Sequence, residues 1–259
     1  MPERSSPKGV LLDVDGTLQE DDIALPGAVG AVARLRAAGV AVRFVTNTTR
    51  RPASEVAARL RGLGFDVRDG ELVTPAIAAG RWLELQGIRR IRLYLPDGAA
   101  EDFRGFALRS ARPQAIVVGD LGAGWTFARL NDAFRDLREG ARLVALHRNR
   151  AWRSGGELIL DAGAFVAALE YAARVEAVVV GKPSADFFRL ACAGVDAAAD
   201  EVLMVGDDVE ADIAGAQRAG LRAVLVRTGK YDERAPSTTE VRPDAVIDDV
   251  SALPSLLGV

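Results

Sequence analysis

Apolar residues along this chain follow two alternating rhythms. Short, mostly apolar runs at 9–13, 40–45, 177–180, 202–205, 222–226 and 245–247 have the length of buried strands. Helical spacing appears between them. Val29, Val32, Ala33 and Leu35 share one face of a helix that Gly39 stops, and Pro52 opens another that runs to Leu63 and Gly64. Ser184 precedes a helix carrying Phe187, Phe188 and Leu190. Ile213 and Ala216 mark a further helix that ends at Gly220, and a last one lies near 253–257. Strands separated by helices in this way predict a parallel sheet with right-handed crossovers.

Between these two halves lie roughly 100 residues, enough for a domain of their own. Their alternation is separate: a helix after Thr74-Pro75, strands at 91–95 and 115–118, a helix around 127–137, strands at 142–146 and 157–160, and a helix through Tyr171. The expected architecture is α/β. Residues 1–75 and 178–259 form a Rossmann-like parallel-sheet core, and residues 76–177 form an inserted α/β cap domain.

Composition narrows the class. Apolar residues make up 49% of the chain, enough for a substantial core. The formal net charge of -3 shows no basic excess, which weighs against nucleic acid as a partner. No apolar run approaches the roughly 18 residues of a membrane span, and the N-terminus has no apolar signal region. With Cys192 as the single cysteine an internal disulfide is impossible, and a soluble cytoplasmic protein is expected. The basic residues are almost all arginine, and the only lysines are Lys8, Lys182 and Lys230. An ammonium and a planar guanidinium are not interchangeable at a tight site, so Lys182, and to a lesser degree Lys230, draws attention.

The first strand ends in Asp13-Val14-Asp15-Gly16-Thr17. Two clustered acids at the carboxyl end of a parallel strand are costly unless a cation or a reaction uses them. A calcium loop would need Gly at its sixth position, where Leu18 stands. A ribose-binding acid would need a glycine-rich turn about twenty residues earlier, and Asp13 lies too near the N-terminus for one. A solvated Asp-Gly turn is the remaining plain reading. Later strands also run into polar groups: Thr46 and Asn47, then Lys182, then Asp207, Asp208 and Asp212. Each has an ordinary explanation alone, as a helix cap, a surface lysine or a helix-start acid pair. Gly181-Lys182 is not a Walker loop, because Glu176 stands where that loop needs Gly. Together, at the ends of successive strands, these groups have the chemistry of phosphoryl transfer through a covalent aspartyl-phosphate. Asp13 and Asp207 can hold Mg²⁺ with a main-chain carbonyl. Val14, Thr46, Asn47 and Lys182 are the candidate phosphate-binding residues, Thr46 by its hydroxyl and Lys182 as a single positive charge. Asp15 is free to exchange a proton with the leaving group and then with water. The only histidine, His147, lies in the insert, so carboxylates must do the acid–base work of the core.

The four segments Asp13-Val14-Asp15-Gly16-Thr17, Thr46-Asn47, Lys182-Pro183 and Gly206-Asp207-Asp208 with Asp212 resemble, in order, the four motifs of the haloacid dehalogenase superfamily. The long insert resembles the cap of its NagD-like phosphatase branch. That resemblance implies a Mg²⁺-dependent phosphatase acting on a small phosphorylated metabolite. Asp13 would be the nucleophile and a metal ligand. Asp15 would be the general acid/base and a metal ligand through its carbonyl. Asp207 would complete the ligands, and Asp208 and Asp212 would orient metal-bound water or Lys182. It also implies a homodimer through the cap. Asp15 argues against dehalogenation, and it leaves P–O, P–N and P–O–P substrates open. A phosphotransferase or mutase using the same intermediate remains open too. A phospho-accepting signalling module is a more distant alternative, because its acid pair precedes the acceptor. The cap turn His147-Arg148-Asn149-Arg150 offers His147, Asn149 and Arg150 as candidate specificity residues, an Arg suiting a second anionic group.

Overall fold

A computed structural model of the chain describes residues 6–154, 157–231 and 241–259. In chain order the strands are β1 (Gly9–Asp13), β2 (Gln19–Glu20), β3 (Ile23–Ala24), β4 (Ala41–Val45), β5 (Leu72–Val73), β6 (Ile91–Tyr94), β7 (Ala115–Val118), β8 (Arg142–Ala145), β9 (Ala151–Ser154), β10 (Glu157–Leu160), β11 (Val178–Val179), β12 (Val202–Gly206), β13 (Arg222–Val226) and β14 (Ala245–Ile247). The helices are α1 (Ala28–Ala37), α2 (Ala53–Gly62), α3 (Pro75–Leu85), α4 (Phe127–Arg138), α5 (Ala162–Ala173), α6 (Ala185–Cys192), α7 (Gly215–Arg218) and α8 (Leu253–Leu257). The chain divides into two compact units. The first comprises residues 1–46, 56–73 and 182–259, and the second residues 47–55 and 74–181.

The first unit holds a six-stranded parallel sheet in the order β14-β13-β12-β1-β4-β5. Every residue of β1 and β12 is buried, which explains their unbroken apolar runs. From β1 the chain goes to β4 and β5 on one side, and the later strands β12, β13 and β14 lie on the other. Strand order therefore reverses at β1, and a reversal opens a crevice at the carboxyl ends of the strands. Register brings the acids together there. Leu12 lies opposite Val205, so the next step along each strand sets Asp13 beside Gly206 and delivers Asp207 next to it. Helix α1 buries Ala28, Ala31, Val32 and Leu35, the spacing of one helical face.

Two features of this unit depart from the sequence reading. The helix expected after β12 is a wide π-type turn over Val209–Ala214 followed by the short α7. Asp208 caps its start: its Oδ1 accepts from the amides of Glu210 (3.0 Å) and Ala211 (2.9 Å), and its carbonyl accepts from Ile213 (3.2 Å), the five-residue spacing of a π-helix. Strand β11, expected in this sheet, pairs instead with β8 of the second unit, Val178 opposite Val144 and Val179 opposite Ala145. The amide of Val180 extends that ladder to the Ala145 carbonyl at 3.0 Å. Lys182 is thus the first residue back in the first unit, not the end of one of its strands.

The second unit is a four-stranded parallel sheet, β11-β8-β7-β6, and its apolar cluster includes Ile116, Val118, Leu137, Leu143, Val166 and Leu169. Thr126 and Asp161 cap α4 and α5 with their side chains. Tyr94, Trp125 and Phe165 stack in succession at 5.1 Å between ring centres. Residues 47–55, expected in the core, group with this unit. Thr49 Oγ1 accepts from the Asp120 amide (2.9 Å), and the Ala53 amide donates to Asp102 Oδ2 (3.0 Å). The β9–β10 hairpin is a separate two-stranded ribbon, and β9 was not legible as a strand.

Candidate active site

Strand β1 ends with its last side chain, Asp13, buried at 5% exposure. A carboxylate there needs compensation. Lys182, 3% exposed, hydrogen-bonds Asp13 Oδ1 and also donates to Asp212 Oδ1 at 2.6 Å. Thr17 Oγ1 lies 3.4 Å from the second oxygen of Asp13. Burial works against the charge of Lys182, but Asp13 and Asp212 outweigh it and hold the ammonium above its ordinary range. For Asp13 burial dominates. It pushes the carboxyl well up, Lys182 pulls it back, and Asp212 and Asp207 add to the rise.

Asp15, two residues on, is exposed. The turn after β1 aims it outward, and Val14, which is buried, anchors that turn by accepting at its carbonyl from Leu18 (2.9 Å) and Gln19 (3.1 Å). Gln19 Nε2 donates to Asp15 Oδ1 at 2.9 Å, and Thr46 Oγ1 donates to Oδ2 at 3.2 Å. The two acids of one motif therefore occupy opposite environments. One is sealed against an ammonium, and the other faces solvent with both oxygens held by donors.

Asp207 and Asp212 complete the buried set, at 2% and 1% exposure. Burial, reinforced by Asp212, pushes Asp207 up to about 7. Asp212 reaches back so that Oδ2 accepts from the Asp208 amide at 3.1 Å. That path runs over Gly206, where a Cβ would lie 2.2 Å from Asp212 Oδ2. Asp208 is held below the ordinary carboxylate range: burial opposes this, but Lys230, 3.3 Å away, prevails.

One carboxylate oxygen from each of Asp13, Asp207 and Asp212 lies within 4.8 Å of the other two. Three buried carboxylates meet one buried ammonium here, so negative charge is in excess. The donors are all hard oxygens. Such a set fits a divalent cation of the magnesium type.

The sequence-derived residues Asp13, Val14, Asp15, Thr46, Lys182, Asp207, Asp208 and Asp212 all fall in the first unit. Asn47 falls in the second, where its Oδ1 would lie 2.8 Å from a Cβ on Gly181. His147 is enclosed at 2% exposure inside that unit. Its Nδ1 accepts from the Asn149 amide (3.3 Å), which leaves Nε2 as the proton-bearing nitrogen, 3.4 Å from Thr49 Oγ1 and 3.7 Å from Asp161. Asn149 is half-buried, and of the three cap candidates only Arg150 is exposed. The sequence reading gave no role to several supporting groups. Gln19 and Thr17 hold the two acids, and Thr228, Gly229 and Lys230 close on Gly16 and Asp207. The scarcity of lysine was the signal that pointed to the last of these.

Residues 10–109 match a family model described as haloacid dehalogenase-like hydrolase, and residues 179–253 match a second of the same kind. The haloacid dehalogenase-like hydrolase domain-containing protein 2 of Bos taurus is 42% identical over 243 residues, 94% of this chain and 92% of the relative. The chain belongs to the haloacid dehalogenase-like hydrolases. Within that family it is similar to the phospholysine phosphohistidine inorganic pyrophosphate phosphatase of Bos taurus, 38% identical over 96% of this chain and 94% of the relative. Among solved structures, a 4-nitrophenylphosphatase from Thermotoga maritima matches with a TM-score of 0.90 and 27% identity, covering 96% of this chain and 97% of its own. NagD from E. coli matches at 0.85 and 25%, covering 95% and 98%. The protein is a NagD-like member of the family and an enzyme, a hydrolase of the phosphatase class. Among the described residues, no helix is long and apolar enough to cross a membrane.

Proposed function

We propose that this hydrolase removes phosphate from a small phosphorylated metabolite through a covalent aspartyl-phosphate on Asp13, with Mg²⁺ as its cofactor. The observation that carries the reading is the contrast between two neighbouring acids: Asp13 buried under Lys182, and Asp15 exposed between Gln19 and Thr46. Asp13 and Asp207 would hold the metal with their carboxylates and Asp15 with its carbonyl. When bound, Mg²⁺ supplies the positive charge that lets an anionic phosphoryl group approach a carboxylate.

An oxygen of Asp13 attacks phosphorus as the bond to the leaving group breaks. Lys182 pulls that carboxyl toward its ionised form, orients it and offsets charge on the phosphoryl oxygens. Asp15 gives its proton to the departing oxygen or nitrogen. It then takes a proton from the water that attacks phosphorus, the bond to Asp13 breaks, and inorganic phosphate leaves. Thr46 shares the edge of this site and positions Asp15. Asp208 and Asp212 fix Lys182 and the end of β12.

The relative's name motivates including pyrophosphate and phosphoamides beside phosphomonoesters among the substrates tried. Transfer of the phosphoryl group to an acceptor other than water would use the same residues. We further propose a cytoplasmic setting, which suits a chain whose one cysteine is free. The proposed assembly is a homodimer through the second unit, whose β10 leaves Leu158 and Leu160 at 70% and 57% exposure.

The test is phosphate release from 4-nitrophenyl phosphate, with and without Mg²⁺, for the wild type and Asp13→Asn. Turnover that needs Mg²⁺ and vanishes in a folded Asp13→Asn protein is expected. Unchanged turnover in Asp13→Asn would overturn the mechanism.

A further inference from the structure

The turn after β13 lies against both acid-bearing segments. The Lys230 amide donates to Asp207 Oδ2 at 2.7 Å. The Thr228 hydroxyl donates to the Gly16 carbonyl, and the Lys230 ammonium reaches Asp208 Oδ2 at 3.3 Å. Gly229 is what lets the turn come so close. A Cβ there would lie 2.0 Å from Asp207 Oδ2 and 2.6 Å from the Gly16 Cα, and its φ of 61° is one that side chains disfavour. From the opposite side, a Cβ on Gly16 would lie 2.1 Å from the same Asp207 oxygen. Asp207 Oδ2 is therefore walled by two glycine main chains and engaged by an amide. Only Oδ1 is left to face a cation.

We propose that the Thr228-Gly229-Lys230 turn is a selectivity clasp: by occupying one oxygen of Asp207 it restricts this acid to single-oxygen ligation, favouring Mg²⁺ and discriminating against Ca²⁺. Mg²⁺ takes six oxygens in a tight octahedron and is satisfied by one oxygen per carboxylate, whereas Ca²⁺ takes six to eight and often fills the extra positions by drawing both oxygens from one carboxylate. Thr228, Gly229 and Lys230 are positioning residues here. They act through Asp207 and need touch neither metal nor substrate. The inference rests on the Mg²⁺ site proposed above.

Calorimetric titration of the full chain with MgCl₂ and with CaCl₂, without substrate, reads the clasp independently of turnover. The variants are Gly229→Ala, which forces the turn off Asp207, Thr228→Val, which removes its tie to Gly16, and Lys230→Arg, which keeps both amide and charge. The ratio of Ca²⁺ to Mg²⁺ affinity is expected to rise about tenfold in Gly229→Ala and several-fold in Thr228→Val, and to stay at the wild-type value in Lys230→Arg. Thr228→Val carries the test if Gly229→Ala does not fold. Unchanged ratios in both folded variants, with Mg²⁺ still binding, would overturn the clasp and leave the phosphatase reading intact. No Mg²⁺ binding by the folded wild type would remove the metal site, and the clasp with it.

Discussion

Asp15 illustrates how much a single position decides. Its carboxylate is exposed, so replacing it need not disturb the buried charges beneath. Asp15→Asn is expected to fold normally and to lose activity by about 10²–10⁴-fold on an alkyl phosphate, whose leaving oxygen needs a proton. On 4-nitrophenyl phosphate, whose leaving group is already stable as an anion, the loss should be much smaller. Comparing kcat on the two substrates checks this, and an equal loss would count against Asp15 as the proton donor. Lys182→Met predicts the opposite kind of damage. It strands Asp13 and Asp212 without their cation, and breaking such a buried pair costs about 3–5 kcal/mol, visible as a fall in the urea midpoint. The acids also set a pH dependence. Burial raises Asp207 to about 7 in the folded state, far above its unfolded value, so the metal-free protein loses stability as pH rises through that range. A bound cation relieves the repulsion, so the rise in Tm on adding Mg²⁺ should be larger at pH 8 than at pH 6. Equal shifts at the two values would contradict it.

At the scale of elements, the strands that deliver the acids were readable because burial on both faces leaves only apolar residues in them until the site begins. Asp13 and Asp207 stand out for that reason, and their adjacency follows from β1 and β12 pairing in register. Strands of two residues, such as β5 and β11, carry no periodicity, so pairing decides them. The assignment of β11 to the core sheet failed on this point: nothing in Val178 and Val179 says which sheet edge they will meet. The helix expected after β12 is present, but its first turn is wound as a π-helix over Val209–Ala214, capped by the side chain of Asp208, and apolar spacing does not distinguish that turn from an α-helix. Gln19 and Thr228 were invisible for a different reason. Each is an ordinary polar residue, and only the folded geometry shows what it holds. Gly206 was legible only as part of a motif; the structure shows it as the floor of the Asp212 side chain. Gly206→Ala should therefore push Asp212 away from Lys182, lowering Tm and cutting turnover at least tenfold, with thermal unfolding and kcat as the measurements.

At the scale of the whole molecule, the proposed homodimer gives a direct outcome. Leu158→Arg places a charge on the exposed face of β10 and should shift the protein to a monomer in light scattering, whereas an unaltered mass would place the interface elsewhere. The order in which the sheet is assembled has a consequence of another kind. The central strand β1 takes its second neighbour, β12, from the far end of the chain, Gly9 beside Val202. On a ribosome that neighbour emerges about 190 residues later, which at ordinary elongation rates means roughly 10–40 s. Throughout that interval a strand that is apolar up to Asp13 has an open edge, and until residue 182 is made Asp13 lacks the lysine that pairs with it. The nascent chain is thus most prone to stick to its neighbours late in its own synthesis, and chains released before residue 206 should collect in inclusion bodies or on chaperones.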